Sequence, residues 1–221
     1  MKLKEIHICT DQPEETTFFY REILGLPVKT YRDSLHIQAG DTLLAFHLTK
    51  NTEPVYHIAF DIPNNKLEEA HSLLKGQLGI LFISEENTDT IADFSRWNAR
   101  SFYFRDNNGN ILEYITRYDR GKTSEETFGG KSILNISEIG LVSDDVPQLA
   151  EKLRSTYDVP IYEKQPPHEH FTAMGDDEGL FILAATGRDW YPTKQKSNNF
   201  PLKVVFTVDG TEHTINRGKI R

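Results

Sequence analysis

Two histidines and one glutamate in the N-terminal half are the side chains best suited to chemistry. His7 and His57 occupy the same place in two similar stretches, EIHICTD and VYHIAFDI, and Glu113 is the one charged residue of ILEYI. A carboxylate is costly to bury, so Glu113 needs a cation, a set of hydrogen-bond donors or an exposed face. Two imidazoles and one carboxylate suit a divalent transition metal that keeps open positions for substrate or water.

These side chains belong to a unit that the chain repeats. Each unit reads as a strand, a helix and two or three further strands, with a period of about fifty residues, in the range where internal repeats are expected. Helices are predicted after Pro13, over 66–78 and after Pro147, and a polar loop over 85–99. The predicted strands are 4–10, 34–38, 42–48, 55–62, 80–83, the two arms of a hairpin across 101–116, 136–142, 170–173, 180–184, 200–208 and 211–215.

The repeat also predicts how the units associate. A single unit leaves an open sheet edge and an unburied face, so units should pair. Pairing the first unit with the second about a pseudo-two-fold axis would bring His7 and His57 together, with Glu113 pointing into the same cup. The predicted organisation is therefore a metal-binding pair of units over 1–118, a linker over 119–132, and a third unit with a truncated fourth over 133–221.

Composition excludes several classes of protein. The 221 residues carry a net charge of -8 and no Lys/Arg-rich run, which argues against binding nucleic acid through its backbone. The single cysteine rules out an internal disulfide framework. No apolar run is long enough for a signal peptide or a membrane span, so we expect a cytoplasmic protein without a membrane partner.

The ending SFYFRDNNGNILEYI, with the strands EIHI and HIAF, resembles the vicinal-oxygen-chelate superfamily. That superfamily contains glyoxalase I, extradiol dioxygenases, fosfomycin-resistance enzymes and bleomycin-resistance proteins. The likeness covers 4–118 well and 133 to about 208 more loosely, with Asn107 where the family motif usually has proline. The resemblance implies an α+β fold in which repeated βαβββ units pair into a cup-shaped mixed β-sheet with helices outside.

The resemblance also implies a site and a chemistry. His7, His57 and Glu113 fall on the metal-ligand positions, for Fe2+, Mn2+, Zn2+ or Ni2+, and Tyr103 matches the active-site tyrosine of the dioxygenases. The substrate would be a small molecule with two adjacent oxygens, and Tyr103 would donate to one of them. Extradiol-type ring cleavage is favoured, with a glyoxalase-like lyase or isomerase next.

Departures from the family pattern keep other functions open. Leu44 and Ala45, near the fourth ligand position of glyoxalase I, cannot bind a metal, and no histidine lies near Phe94, where the dioxygenases keep an acid–base histidine. The alternative is a protein that sequesters an antibiotic-like ligand without chemistry, as bleomycin-resistance proteins do. A homodimer through the third-unit half is also possible.

The remaining candidate ligands are interpreted as structural. His36 and His47 are expected to be packing or edge residues, and His168-Glu169-His170 a surface turn. Glu138 holds the place of His7 in the third unit, but the matching position in the last strands is about Val204. The C-terminal half is therefore expected to bind no metal.

Overall fold

A computed structural model describes residues 1–50, 52–86 and 88–220. Within those ranges the chain forms three α-helices and thirteen β-strands in two mixed sheets. The helices are α1 Pro13–Phe18, which continues in π-type turns over Phe19–Ile23, α2 Leu67–Lys75 and α3 Val146–Tyr157. The strands are β1 Lys2–Thr10, β2 Val28–Thr30, β3 Ser34–Ala39, β4 Thr42–Leu48, β5 His57–Asp61, β6 Ala92–Phe94, β7 Ala99–Arg105, β8 Ile111–Arg117, β9 Asn135–Ser143, β10 Phe171–Asp176, β11 Gly179–Ala185, β12 Leu202–Val208 and β13 Thr211–Arg217.

The helices begin where the sequence predicts. Pro13 lies in the first turn of α1, where its missing N–H breaks no hydrogen bond. The side chain of Asp145 caps α3 by accepting a hydrogen bond of 2.8 Å from the backbone N–H of Gln148. None of the helices in the described ranges is long and apolar enough to cross a membrane.

Each sheet joins two of the repeated units. The first sheet has the strand order β13-β12-β1-β4-β3-β2, and the second has β10-β11-β9-β5-β8-β7-β6. Within the units the opening strand runs parallel to a later one, as β5 does to β8, and the opening strands of paired units meet antiparallel. The second sheet curls into a cup, with α2 and α3 against its outer face. The predicted α+β fold of paired units is confirmed.

The units pair differently from the sequence-based prediction. The second unit pairs with the third through β5 and β9, while the first unit pairs with the fourth through β1 and β12. Residues 1–118 therefore contribute to both sheets. The opening strands all offer the same backbone hydrogen-bonding edge, so their sequences do not select a partner, and the packing of the whole chain does.

The segment predicted as a linker, 119–132, is packed against the helices of both N-terminal units. Phe128 is buried, and its backbone N–H donates to Glu69 on α2 at 2.6 Å. A Cβ added at Gly130 would lie 2.2 Å from the carbonyl oxygen of Gly25, just after the π-type turns. This close approach explains why glycine stands at 130.

One predicted strand is misplaced. The structure has no strand at 80–83 among the described residues, and the outer strand of the second unit is β6, inside the predicted loop 85–99. Ile83 instead lies in a loop, where its backbone N–H donates to the carbonyl oxygen of Asp89 at 2.9 Å. Asn87, also within the predicted loop, lies outside the described residues.

Alternation along β8 separates the core from the cup. Leu112 and Tyr114 join the main hydrophobic core, which includes residues of both sheets, of α2 and α3, and of the π-type turns after α1. Ile111 and Glu113 face the other way, where Ile111 belongs to a second buried cluster that includes Tyr103 and Trp190. The strand pattern thus presents a carboxylate to the inside of the cup while its neighbours stabilise the fold.

Candidate metal centre in the cup

The centre of the cup is built on two neighbouring strands. On β5, His57 lies opposite Ile111 of β8, and Ala59 lies opposite Glu113. Paired residues project from the same face of a sheet, so His57 and Glu113 are diagonal neighbours on the cup side. Both side chains are buried, with 7% and 2% of their surfaces exposed.

The third member of the centre comes from the third unit. Ala59 also lies opposite Glu138 of β9, so two glutamates flank this small residue from either side. Because the methyl group of Ala59 fills little space, both carboxylates can extend over it toward His57. The Nε2 atom of His57 lies 3.6 Å from an oxygen of Glu113 and 3.6 Å from an oxygen of Glu138. One ligand atom from each of the three residues lies within 4.8 Å of the others.

Arg117 compensates part of the buried negative charge. Its guanidinium, fully buried on β8, donates to Glu138 and, at 3.2 Å, to the hydroxyl of Ser137. It also lies 3.9 Å from Asp61, which Arg120 contacts directly. In the described part of the chain, His57 is the one cationic side chain within 4 Å of Glu113, on its Oε2 atom. The Oε1 atom of Glu113 accepts a hydrogen bond of 2.8 Å from Tyr103.

This arrangement favours retention of a proton in the metal-free centre. Burial, and then the charge of Glu138, raise the pKa of Glu113 to about 7. Burial lowers the pKa of His57, but its hydrogen bond to Glu138 and the charges of both glutamates outweigh that effect and raise it. A divalent cation could replace this shared proton and bind the two carboxylates and the imidazole.

The centre opens into a cavity of about 250 Å³ with aromatic walls. Trp190 lies over His57 with ring centroids 5.4 Å apart, and Tyr103 lies 6.5 Å from His57. The other residues that line the cavity are Phe94, Trp97, Gln165, Phe171, Ile182, Arg188 and Tyr191. The cavity is at the small end of ligand pockets and suits a single-ring molecule better than a large conjugate.

Tyr103 lines the cavity, as the resemblance implies, but its hydroxyl proton is already used in a hydrogen bond. The hydroxyl group donates to Glu113, and burial followed by the charge of Glu113 raises the pKa of Tyr103 well above its usual value. The phenol is therefore neutral at physiological pH. In this structure Tyr103 orients a candidate metal ligand, and its role as a donor to substrate remains a prediction.

The structure does not bring His7 to this centre. His7 lies on β1 in the other sheet, where its Nδ1 atom is 2.9 Å from Nε2 of His47 and its Nε2 atom is 2.9 Å from Glu5. The reason is the pairing of units: β5 takes β9 as its neighbour, so Glu138 occupies the place at the centre that the first-with-second pairing would give to His7. The sequence held a signal for this, since Glu138 stands at the position of His7 in the third unit.

The strand register also corrects the sequence-based choice of the residues that correspond to Glu113 in the other units. His57 lies opposite Ile111, two residues before Glu113; His7 lies opposite Ala45, two residues before His47. The position in the first unit that corresponds to Glu113 is therefore His47, not Leu44 or Ala45. In the third unit Glu138 lies opposite Leu180, so the corresponding position is Ile182, which leaves one side of the cup apolar.

Comparison with solved structures identifies the fold. A protein of Bacillus subtilis subsp. subtilis strain 168, provisionally named a dioxygenase, matches 98% of this chain and 84% of its own, with a TM-score of 0.62 and 15% identity. Lactoylglutathione lyase from Agrobacterium tumefaciens matches 52% of this chain and 92% of its own (TM-score 0.41, 17% identity). A glyoxalase/bleomycin resistance protein/dioxygenase from Nocardioides matches 57% and 89% (TM-score 0.44, 18% identity).

The sequence by itself matches no family profile and no curated protein. The likeness in structure nevertheless extends over nearly the whole chain in the Bacillus subtilis protein. Together with the paired units and the cup, it shows that the chain shares the fold of that protein, and this is the fold that the sequence resemblance implies. At this level the resemblance predicted from the sequence is confirmed.

Proposed function

We propose that this protein is a metal-dependent enzyme that cleaves the ring of a small aromatic substrate with two adjacent hydroxyl groups. The observation that carries the proposal is the convergence of His57, Glu113 and Glu138 on one point of an aromatic-walled cavity. One imidazole and two carboxylates suit Fe2+, Mn2+ or Zn2+. A bound divalent cation would act as a Lewis acid that stabilises negative charge on the substrate oxygens.

The residues around the centre have separate roles in this proposal. Tyr103 holds Glu113 and Arg117 holds Glu138, so both carboxylates are fixed before substrate enters. Trp190 and Trp97 provide flat apolar surfaces for a ring, and Ile182 leaves one side of the centre free of protein ligands. Among the described residues the buried indole N–H of Trp190 has no hydrogen-bond partner, and a substrate oxygen within its reach would give it one.

Arg188 extends the proposal to the charge of the substrate. Its guanidinium lies 4.8 Å from the centre of the Phe171 ring and donates to the carbonyl oxygen of Asp189 at 3.1 Å. Both Arg188 and Phe171 line the cavity. A carboxylate on the substrate ring would be attracted to this cation, which lies among aromatic side chains.

Proton transfer in this proposal lacks the histidine that the dioxygenases use. Phe94 lines the cavity near the position where the dioxygenases keep a histidine, and its ring cannot carry a proton. The groups on the cavity wall that can hold a proton are His57, Tyr103, Tyr191 and the two glutamates. With His57 and the two glutamates holding the metal, Tyr103 and Tyr191 are the groups of this set left to exchange a proton with substrate.

A second candidate function is sequestration of a planar ligand without chemistry. The ion pair of Arg117 with Glu138 favours it, because it already neutralises one of the candidate metal ligands. In that case the aromatic walls bind the ligand and the buried charges only stabilise the fold.

Metal content and catechol binding separate the two functions. Chelator-treated protein is dialysed against Fe2+ without oxygen, and metal content and the spectrum with 3,4-dihydroxybenzoate are measured before oxygen uptake. We expect Glu113→Gln and His57→Ala to lose one metal equivalent, the catechol-induced spectral change and oxygen uptake. His71→Ala, a histidine on α2 that hydrogen-bonds Thr90, is the matched control and should retain all three.

Other results would decide against ring cleavage. A spectral change on catechol binding without oxygen uptake would indicate a lyase or isomerase, to be screened with 2-oxoaldehyde–thiol adducts. Equal metal content in unchanged protein, His57→Ala and Glu113→Gln would contradict a metal centre in the cup. Tight binding of a planar ligand would then support sequestration.

A further inference from the structure

The open face of the first sheet carries a second group of imidazoles. His7 on β1 and His47 on β4 are half-buried side chains of the same face, since His7 lies opposite Ala45 and Cys9 lies opposite His47. His36 on β3 lies opposite Ala45 from the other side. The small side chain of Ala45 thus separates His7 from His36, and three imidazoles border one patch.

We propose that His7 and His47 form a second binding site for a divalent transition-metal ion, independent of the centre in the cup. In the first unit these two residues hold the places that His57 and Glu113 hold in the second. The repeat therefore sets the same diagonal pair of side chains on both sheets. In the first sheet both members are imidazoles, which suit Zn2+, Ni2+ and Cu2+.

The distance between the rings supports this assignment. Nδ1 of His7 and Nε2 of His47 are 2.9 Å apart, with the ring centroids 5.2 Å apart. Two nitrogen ligands, each about 2.1 Å from a shared ion, are separated by about 3.0–3.4 Å for bond angles of about 90–109°. The two lone pairs can therefore reach one cation after small rotations of the rings.

Glu5 supplies the partner that a metal-binding histidine usually has. Its carboxylate lies 2.9 Å from Nε2 of His7, the nitrogen that faces away from His47. A hydrogen bond from Nε2–H to a carboxylate fixes the tautomer in which Nδ1 carries the lone pair, and it makes that nitrogen a stronger ligand. Lys203 lies opposite His7 on β12, so the fourth unit contributes no ligand at that place, and water or His36 would complete the coordination.

The test uses a chain in which the cup centre has been disabled. Equilibrium dialysis of the full-length Glu113→Gln variant against Zn2+ should show one bound equivalent, and Cu2+ bound to it should show nitrogen hyperfine structure in its electron paramagnetic resonance spectrum. Adding His47→Ala should abolish both signals. Adding Glu5→Gln should weaken Zn2+ binding about 10- to 100-fold, as loss of an outer-sphere carboxylate does.

Controls separate this site from other histidines and from misfolding. Adding His71→Ala to Glu113→Gln should leave Zn2+ binding unchanged, and circular dichroism should show each variant folded. If Glu113→Gln binds no Zn2+, or if His47→Ala leaves its binding unchanged, the second site does not exist. In the converse variant, His47→Ala alone, any metal that remains bound is assigned to the centre in the cup. The two sites are therefore tested independently.

Discussion

At the scale of single residues, Arg117 is the group on which the centre of the cup depends. Its guanidinium is fully buried and lies against Glu138, with Asp61 and Asp177 each 3.9 Å away. A buried carboxylate keeps its charge only where a cation or hydrogen bonds compensate it. Burial raises the pKa of Glu138, but the charge of Arg117, the hydrogen bond with His57 and the charge of His57 together outweigh it and lower that pKa, so Glu138 is ionised beside His57.

Removing this cation should destabilise the fold strongly. Arg117→Met keeps an apolar stem but leaves Glu138 buried beside Glu113 without its partner, and we expect a loss of about 3–5 kcal/mol in the free energy of unfolding in urea. Arg154→Met removes an arginine that pairs with Glu151 on the surface of α3, where both side chains are more than half exposed. That control should change stability by less than about 1 kcal/mol. Equal effects of the two substitutions would show that Arg117 does not stabilise the centre.

At the scale of elements, the two central strands β5 and β9 determine the shape of the cup. Gly140 on β9 lies beneath Trp190, and a Cβ at this position would be 2.7 Å from Cη2 of the indole and 3.5 Å from Cβ of His57. The absent side chain lets the indole lie against the strand and over His57. The segment that carries Trp190 is closed by backbone hydrogen bonds of 2.9 Å from Trp190 to Gln195 and 2.8 Å from Ser197 to Arg188.

The Gly140→Ala substitution should therefore displace Trp190 from the cavity wall. Overpacking of this kind costs about 1–3 kcal/mol, and it should change the tryptophan emission spectrum and weaken binding of 3,4-dihydroxybenzoate. Gly129→Ala is the matched control, since a Cβ there meets nothing within 4 Å and its φ of -167° is extended backbone. An emission spectrum unchanged in Gly140→Ala but altered in Gly129→Ala would contradict this account of the wall.

At the scale of the whole molecule, the first and last units enclose the middle two in sequence but form their own sheet. β1 takes β12 on one edge and β4 on the other, and β5 takes β9 and β8 in the same way. Phe206 of β12 and Phe181 of β11 pack edge to face, with ring centroids 5.0 Å apart. The two sheets therefore share one core and depend on both ends of the chain.

This interdependence predicts the behaviour of fragments. Residues 1–118 alone lack β12 and β9, so one edge of β1 and one edge of β5 would be open. We therefore expect an aggregated or unfolded fragment by circular dichroism and size-exclusion chromatography. Mixing it with the fragment 119–221 during refolding should restore the spectrum of the intact chain. A monomeric 1–118 fragment with a cooperative thermal transition would show instead that the first two units form a domain by themselves.

The sequence by itself determined the units and the residues available for chemistry. Alternation and helix-start signals placed α1, α3 and most strands, because they depend on local backbone preferences and on which face is buried. The same local patterns marked His57 and Glu113, which the structure brings together, and showed that Glu138 holds the equivalent place in the third unit. The outer strand β6 was missed because its three residues carry too short a pattern.

Only the tertiary structure decided which units share a sheet, and therefore which side chains share a site. Backbone edges are chemically alike, so any opening strand can pair with any other, and the choice rests on packing over the whole chain. That choice put Glu138 beside His57 and left His7 with His47 on another sheet. The identity of each ligand was local information, but their grouping was not.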